Sequence, residues 1–106
     1  LSSLPSVAVP FLPPFTLPVF HQYTLRIKEG RDALLQFLRN RGIGCEIYYP
    51  LPLHRQPFLQ DLLPASSFSV AESLSQEVLS LPVHPQLTKE DLYTVVWGVR
   101  EFFLNY

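Results

Sequence analysis

At 106 residues, 47% hydrophobic and only 16% charged, the chain has the size of one domain and more apolar surface than a domain that small readily hides. A net charge of −1 with no basic run excludes the electrostatic footprint of a nucleic-acid binder, and no apolar run approaches the roughly 20 residues that span a bilayer. A single cysteine and three histidines without ligand spacing exclude an internal disulfide and a zinc motif. The lone thiol points to a reducing, cytoplasmic setting. We read the apolar surplus as a face meant for another domain or subunit. The absence of methionine, even at position 1, leads us to expect a piece of a longer protein.

Residues 1–18 carry Pro5, Pro10, Pro13, Pro14 and Pro18 among Val, Leu and Phe. Fixed φ angles and lost backbone donors forbid a helix there, and the composition is too apolar for a disordered tail. An extended lead-in lying along an apolar surface is expected, with the domain proper over residues 19–106. From residue 19 to 28 the period is two, which predicts a strand. Val19, His21, Tyr23, Leu25 and Ile27 share an apolar face; Phe20, Gln22, Thr24, Arg26 and Lys28 share a largely polar one. On this count His21 is a hydrogen-bonded core histidine. Leu34, Leu35, Phe37 and Leu38 predict a helix over 31–41, with Arg39 and Arg41 at the negative end of its dipole and Gly42 as its left-handed stop. A second strand follows over 43–49. Its parity sends Ile43, Cys45, Ile47 and Tyr49 to the core, and Glu46 and Tyr48 to the other side. Pairing it with the first strand gathers Gln22, Thr24, Arg26, Glu46 and Tyr48 on one polar face. Cys45 reads as a small core residue, not a nucleophile.

Pro50, Pro52 and Pro57 then stiffen a loop that carries His54. A short helix is predicted over 57–63, broken by Pro64, with a loop over 65–67. Ser69 and Glu72 form a capping-box pattern, followed by Ala71, Leu74, Val78 and Leu81 at helical spacing. Residues 79–82 can already be extended, as a short third strand. Thr88 is the expected cap of the last helix, with Glu90 and Asp91 in its first turn and Leu87 and Leu92 as a hydrophobic staple. Leu92, Val95, Val96, Val99 and Phe103 form its predicted buried stripe. Gly98 weakens that helix by about 1 kcal/mol relative to alanine, which implies close approach of another element. The sum is an α/β fold of the two-layer α+β kind: a small, mostly antiparallel sheet of about three strands with helices on one face. No nucleophile elbow, phosphate-cradling loop or spaced carboxylate pair is present, so no self-contained catalytic set emerges.

Several blocks follow one another at suitable intervals: His21-Gln22-Tyr23-Thr24-Leu25-Arg26, Arg31-Asp32-Ala33-Leu34, Arg41-Gly42-Ile43-Gly44, Tyr48-Tyr49-Pro50-Leu51-Pro52-Leu53-His54-Arg55-Gln56, Ala71-Glu72-Ser73-Leu74-Ser75 and Leu79-Ser80-Leu81-Pro82. Together they make the chain resemble the C-terminal domain of the DegT/DnrJ/StrS family of sugar aminotransferases. The resemblance implies the small domain of a pyridoxal-phosphate enzyme of the aspartate-aminotransferase fold type. Such a domain closes over the active site and helps bind a nucleotide-sugar substrate. It further implies a missing N-terminal domain that carries the Schiff-base lysine, a homodimer in the full-length enzyme, and glutamate as the usual amino donor. The chain's only lysines, Lys28 and Lys89, do not lie in the family's cofactor-lysine context, so no pyridoxal phosphate is expected on this chain and the piece is expected to be inactive alone. Tyr48 matches the family's tyrosine or histidine before the Tyr-Pro pair and is expected to approach substrate. His54 matches a recurrent family position that touches substrate or props the loop. Arg26, on the polar sheet face, completes the expected substrate-binding set. The rival reading is a free-standing α/β module that binds a ligand or protein through that polar face.

Overall fold

In the computed structural model, which describes residues 1–60, 62 and 67–105, three short strands form one antiparallel sheet. They are β1 (Val7–Ala8), β2 (Tyr23–Ile27) and β3 (Val78–Leu81), in the order β1-β2-β3. Leu25 lies opposite Leu79, Tyr23 opposite Leu81 and Val7 opposite Ile27. Alternation therefore turns Val7, Leu25, Ile27, Leu79 and Leu81 to one face, and Thr24, Arg26 and Ser80 to the other. Helices α1 (Arg31–Arg39) and α3 (Lys89–Leu104) cover the apolar face with Leu34, Leu38, Val95, Val99 and Phe102, all buried. Helix α2 (Ser69–Glu77) runs directly into β3. This is the expected α+β arrangement.

The sequence signals at the helix ends are realised as bonds. Gly42 sits at φ 74°, and behind it Gly42 N donates to Arg39 O at 2.9 Å and Ile43 N to Leu38 O at 3.0 Å. These are the two bonds of a Schellman stop. At the start of α3, Thr88 Oγ1 accepts from Asp91 N at 3.1 Å while Asp91 Oδ2 accepts from Thr88 N at 2.8 Å. Two helix-end donors are thereby satisfied reciprocally. Arg41 pairs with Glu101 at 2.8 Å and lies 3.6 Å over the Phe37 ring, tying the end of α1 to α3.

Several expectations need correction. Residues 43–49 form no strand; a single bridge, Glu46 to Ser80, attaches them to β3. They could not pair with β2, whose two edges are already taken by β1 and β3. The lead-in divides: Leu4 and Val7 are buried and β1 belongs to the sheet, while Phe11, Phe15, Leu17 and Val19 stand in solvent. His21 is exposed, not in the core, because β2 begins only at Tyr23. In α3 the buried aromatic is Phe102 and not Phe103, and Leu92 is 49% exposed. The capping box expected at Ser69 does not form; Phe68 occupies the N-cap of α2 without a side-chain cap. The short helix after the proline loop is a pair of single 3-10 turns, Leu53–Arg55 and Pro57–Leu59. Its expected end at Leu63 and Pro64, and the loop residues Ala65 and Ser66, lie outside the described residues. Among the described residues no helix is long and apolar enough to cross a membrane.

Candidate functional site

The segment after α1 is tied to β3 by two backbone bonds and back to α1 by Arg39. Glu46 N donates to Ser80 O at 3.1 Å and Ser80 N to Glu46 O at 2.8 Å. Arg39 Nη2 donates to Cys45 O at 3.2 Å and to Glu46 Oε2 at 2.9 Å. Ile43 and Cys45 are thereby buried and Ile47 packs against the core, so parity holds to that point and Tyr48 emerges on the side of Glu46. Burial pushes the Cys45 thiol above its ordinary pKa, and its Sγ lies 3.9 Å from Leu35 O, as befits an unreactive core residue. Parity then lapses. Tyr49, expected in the core, is 71% exposed against 42% for Tyr48, and the two rings meet edge to face at 5.7 Å. With no ladder beyond Glu46 there is nothing to enforce alternation. The Tyr48–Tyr49 peptide bond is cis.

Between this segment and the adjoining ends of β2 and β3 lies a cleft of about 600 Å³, lined among others by His21, Gln22, Glu46, Tyr48 and Ser80. Ser80 Oγ and Thr24 Oγ1 are 2.8 Å apart beside it. The lining offers hydroxyl, amide and imidazole groups at modest net charge, since the Glu46 carboxylate is already engaged by Arg39. Such groups suit a polyhydroxylated ligand.

The three expected site residues are not gathered in this cleft. Tyr48 lines it, with Gln22 and Glu46 of the anticipated polar face. His54 sits in the proline loop with its side chain 9% exposed, its Nε2 2.8 Å from Glu72 Oε1 and its ring against Phe68 at 4.8 Å. Arg26 lies further along β2, where Nε and Nη2 donate to Glu77 Oε2 at 2.9 and 2.7 Å. The hydrogen bond from Ser73, then that from Arg26, holds the Glu77 carboxyl below its ordinary pKa.

Three residues carry roles that sequence reasoning did not assign. Glu72, read as a capping residue, receives His54 and Arg55 from the loop, and those bonds lower its pKa, the one from His54 first. Arg39, read as a dipole partner, instead positions residues 45 and 46. Arg31 is 7% exposed, and its Nη1 donates to Ser75 O at 3.1 Å and Val78 O at 3.0 Å, closing the end of α2. A charged residue at the start of an otherwise apolar helix face was the available signal for Arg31. Nothing local marked the other two.

These residues do not fit a Schiff-base cofactor site: Lys28 and Lys89 are both exposed and neither lines the cleft. Among the described residues no group of histidine, cysteine, aspartate and glutamate could hold a metal ion.

The model of the DegT/DnrJ/EryC1/StrS aminotransferase family matches residues 1–100, and the chain belongs to that family. It is 43% identical over 89 residues to the pleiotropic regulatory protein of Geobacillus stearothermophilus, covering 83% of this chain and 24% of that one. It is 39% identical over 103 residues to the dTDP-3-amino-3,4,6-trideoxy-alpha-D-glucose transaminase of Streptomyces venezuelae, covering 96% of this chain and 27% of the relative. Among solved structures, S. venezuelae DesV in complex with a ketimine intermediate superposes with a TM-score of 0.87 at 37% identity, over 95% of this chain and 27% of DesV. The chain thus spans about a quarter of the length of the curated relatives it matches.

Proposed function

We propose that this chain is the small, substrate-closing domain of an aminotransferase that acts on a nucleotide-linked keto sugar. The observation that carries the reading is the cleft beside Tyr48: rich in hydrogen-bonding groups, without an anchoring lysine, in a chain of a sugar-aminotransferase family. The substrate class follows that of the Streptomyces relative, a transaminase of a dTDP-linked amino sugar. Pyridoxal phosphate, which supplies the electron sink for amino-group transfer, would be held by residues outside this chain. The apolar segment over residues 11–19 would lie against that larger body, in an enzyme that works as a dimer.

Tyr48 presents its hydroxyl to the sugar, flanked by Gln22 and Ser80. His54 supports the loop from which Tyr48 projects. Arg26, engaged by Glu77, is proposed at the outer margin of the polar face. In the full-length enzyme Tyr48→Phe should lower kcat/KM by roughly threefold to tenfold, the worth of one uncharged hydrogen bond, with an unchanged melting temperature. Full activity, or early melting at full activity, would remove Tyr48 from the site.

A further inference from the structure

The loop that presents Tyr48 is suspended between two anchors. At one end is the backbone bridge between Glu46 and Ser80. Among the described residues, the backbone from Ile47 to Leu53 then makes no hydrogen bond to another element; its bonds are local, such as Arg55 N to Pro52 O and Gln56 N to Leu53 O. Apolar contact does not fill the gap either. Leu51, Leu53 and Tyr49 are exposed, and a hollow of about 250 Å³ separates the loop from Ala71, Leu74 and Ser75 of α2. The second anchor is Glu72. Its Oε1 accepts from His54 Nε2 at 2.8 Å, Arg55 Nη2 at 3.1 Å and Phe68 N at 3.4 Å, and its Oε2 from Ser67 Oγ at 3.5 Å.

We propose that Glu72 is the positioning residue of the substrate-facing loop: one carboxylate on α2 fixes the loop's far end and thereby sets where Tyr48 stands. The functional part of this inference rests on the reading of Tyr48 as a substrate contact; the mechanical part does not. Charge-assisted bonds from two neighbouring loop residues to one acceptor resist rotation as well as separation. Pro50 and Pro52, between Tyr48 and His54, stiffen the chain enough for an anchor at His54 to be felt at Tyr48.

Backbone ¹⁵N relaxation on the 106-residue chain tests the mechanical part. In the wild type the amides of Ile47, Tyr48, Tyr49, Leu51 and Leu53 should show order parameters near the rigid value of about 0.85. In Glu72→Ala they should fall below about 0.6 while α1, α3 and β2 keep theirs. Glu72→Gln, which retains an acceptor oxygen, should restore most of the order. Where Glu72→Ala also loosens α2, His54→Ala decides, because it breaks the same bond from the loop side. Unchanged order in these variants, or a loop already mobile in the wild type, overturns the proposal. In the full-length enzyme the losses in kcat/KM from Glu72→Ala and Tyr48→Phe should not multiply, because a displaced Tyr48 has little hydroxyl contact left to lose. Multiplicative losses overturn the functional part. Full activity of Tyr48→Phe would instead defeat the substrate reading and leave the relaxation result to stand on its own.

Discussion

Gly98→Ala probes how closely α3 lies on α1 and the segment behind it. A Cβ built at Gly98 would stand 2.8 Å from Ile43 Cδ1 and 3.0 Å from Leu38 Cδ2, well inside the 3.5–4.0 Å or so at which carbon pairs attract. Both atoms end flexible side chains, but Leu38 is fully buried and Ile43 nearly so, so a shift of either disturbs the packing around it. Alanine gains about 1 kcal/mol in helix propensity, while overpacking a core costs about 1–3 kcal/mol. The net is a destabilisation of about 0–2 kcal/mol, read as a lower urea midpoint. The coupling is the sharper quantity. Ile43→Val deletes the clashing Cδ1 and alone should cost about 0.5–1.5 kcal/mol. In the Gly98→Ala background that deletion also relieves the clash, so the double variant should be about 1 kcal/mol more stable than the two single costs predict. Strict additivity, or a Gly98→Ala variant that gains its full helix propensity, would refute the contact as the reason for glycine here.

Leu79→Ala should cost about 2–5 kcal/mol, as for other fully buried leucines. Leu92→Ala in this chain should cost less than about 1 kcal/mol, since half of that side chain is already in water; denaturant midpoints for the pair check the assignment. Thr88→Ala should cost about 1 kcal/mol through loss of a hydrogen-bonded cap. Glu72, Glu77 and Asp91 have folded pKa values below their ordinary 4.5, 4.5 and 3.8, held down by His54, by Ser73 and by the Thr88 backbone respectively. Their contribution is therefore present above those ordinary values and is lost as pH falls through the folded ones. Urea midpoints should hold near neutrality and decline below about pH 4.5, more at low salt than at high; a flat profile to about pH 3 would refute the linkage. Borohydride treatment with pyridoxal phosphate at low concentration should leave no stoichiometric adduct on Lys28 or Lys89, as mass spectrometry would show.

What could be read from the sequence was what neighbouring residues decide among themselves. Gly42 behind Arg39 and Arg41, and Thr88 ahead of Asp91, announce helix ends because the bonds that make those ends lie within a few residues. The alternation from Tyr23 to Ile27 likewise names its own buried side. The errors came where the partner is distant. Val7–Ala8 is too short to show a period, and only β2, far along the chain, makes it a strand. The residues after Ile43 carry β-branched and aromatic side chains, yet the sheet had no free edge on β2 to offer them, which no local pattern reveals. Tyr49 inherited its core assignment from that strand and lost it with the strand. For the cleft, Tyr48 followed from parity over the few residues that Ile43 and Cys45 do pin. Glu72 was invisible as an anchor because His54 reaches it from 18 residues away.

The outer margins of the sheet determine how this domain can meet anything else. On the β3 side, Ser80 spends both backbone groups on Glu46, and the Val78 carbonyl is taken by Arg31. On the β1 side the edge is two residues long, with Pro5 and Pro10 close on either hand. Neither margin offers a row of free amides and carbonyls, so no foreign strand can be added to extend the sheet, and misassembly by edge pairing is closed off. Any neighbour must instead be met through side chains such as Phe11, Phe15 and Trp97, which stand in water in this chain. Recognition of that kind depends on the shape of the facing surface, whereas strand addition draws its affinity from main-chain hydrogen bonds.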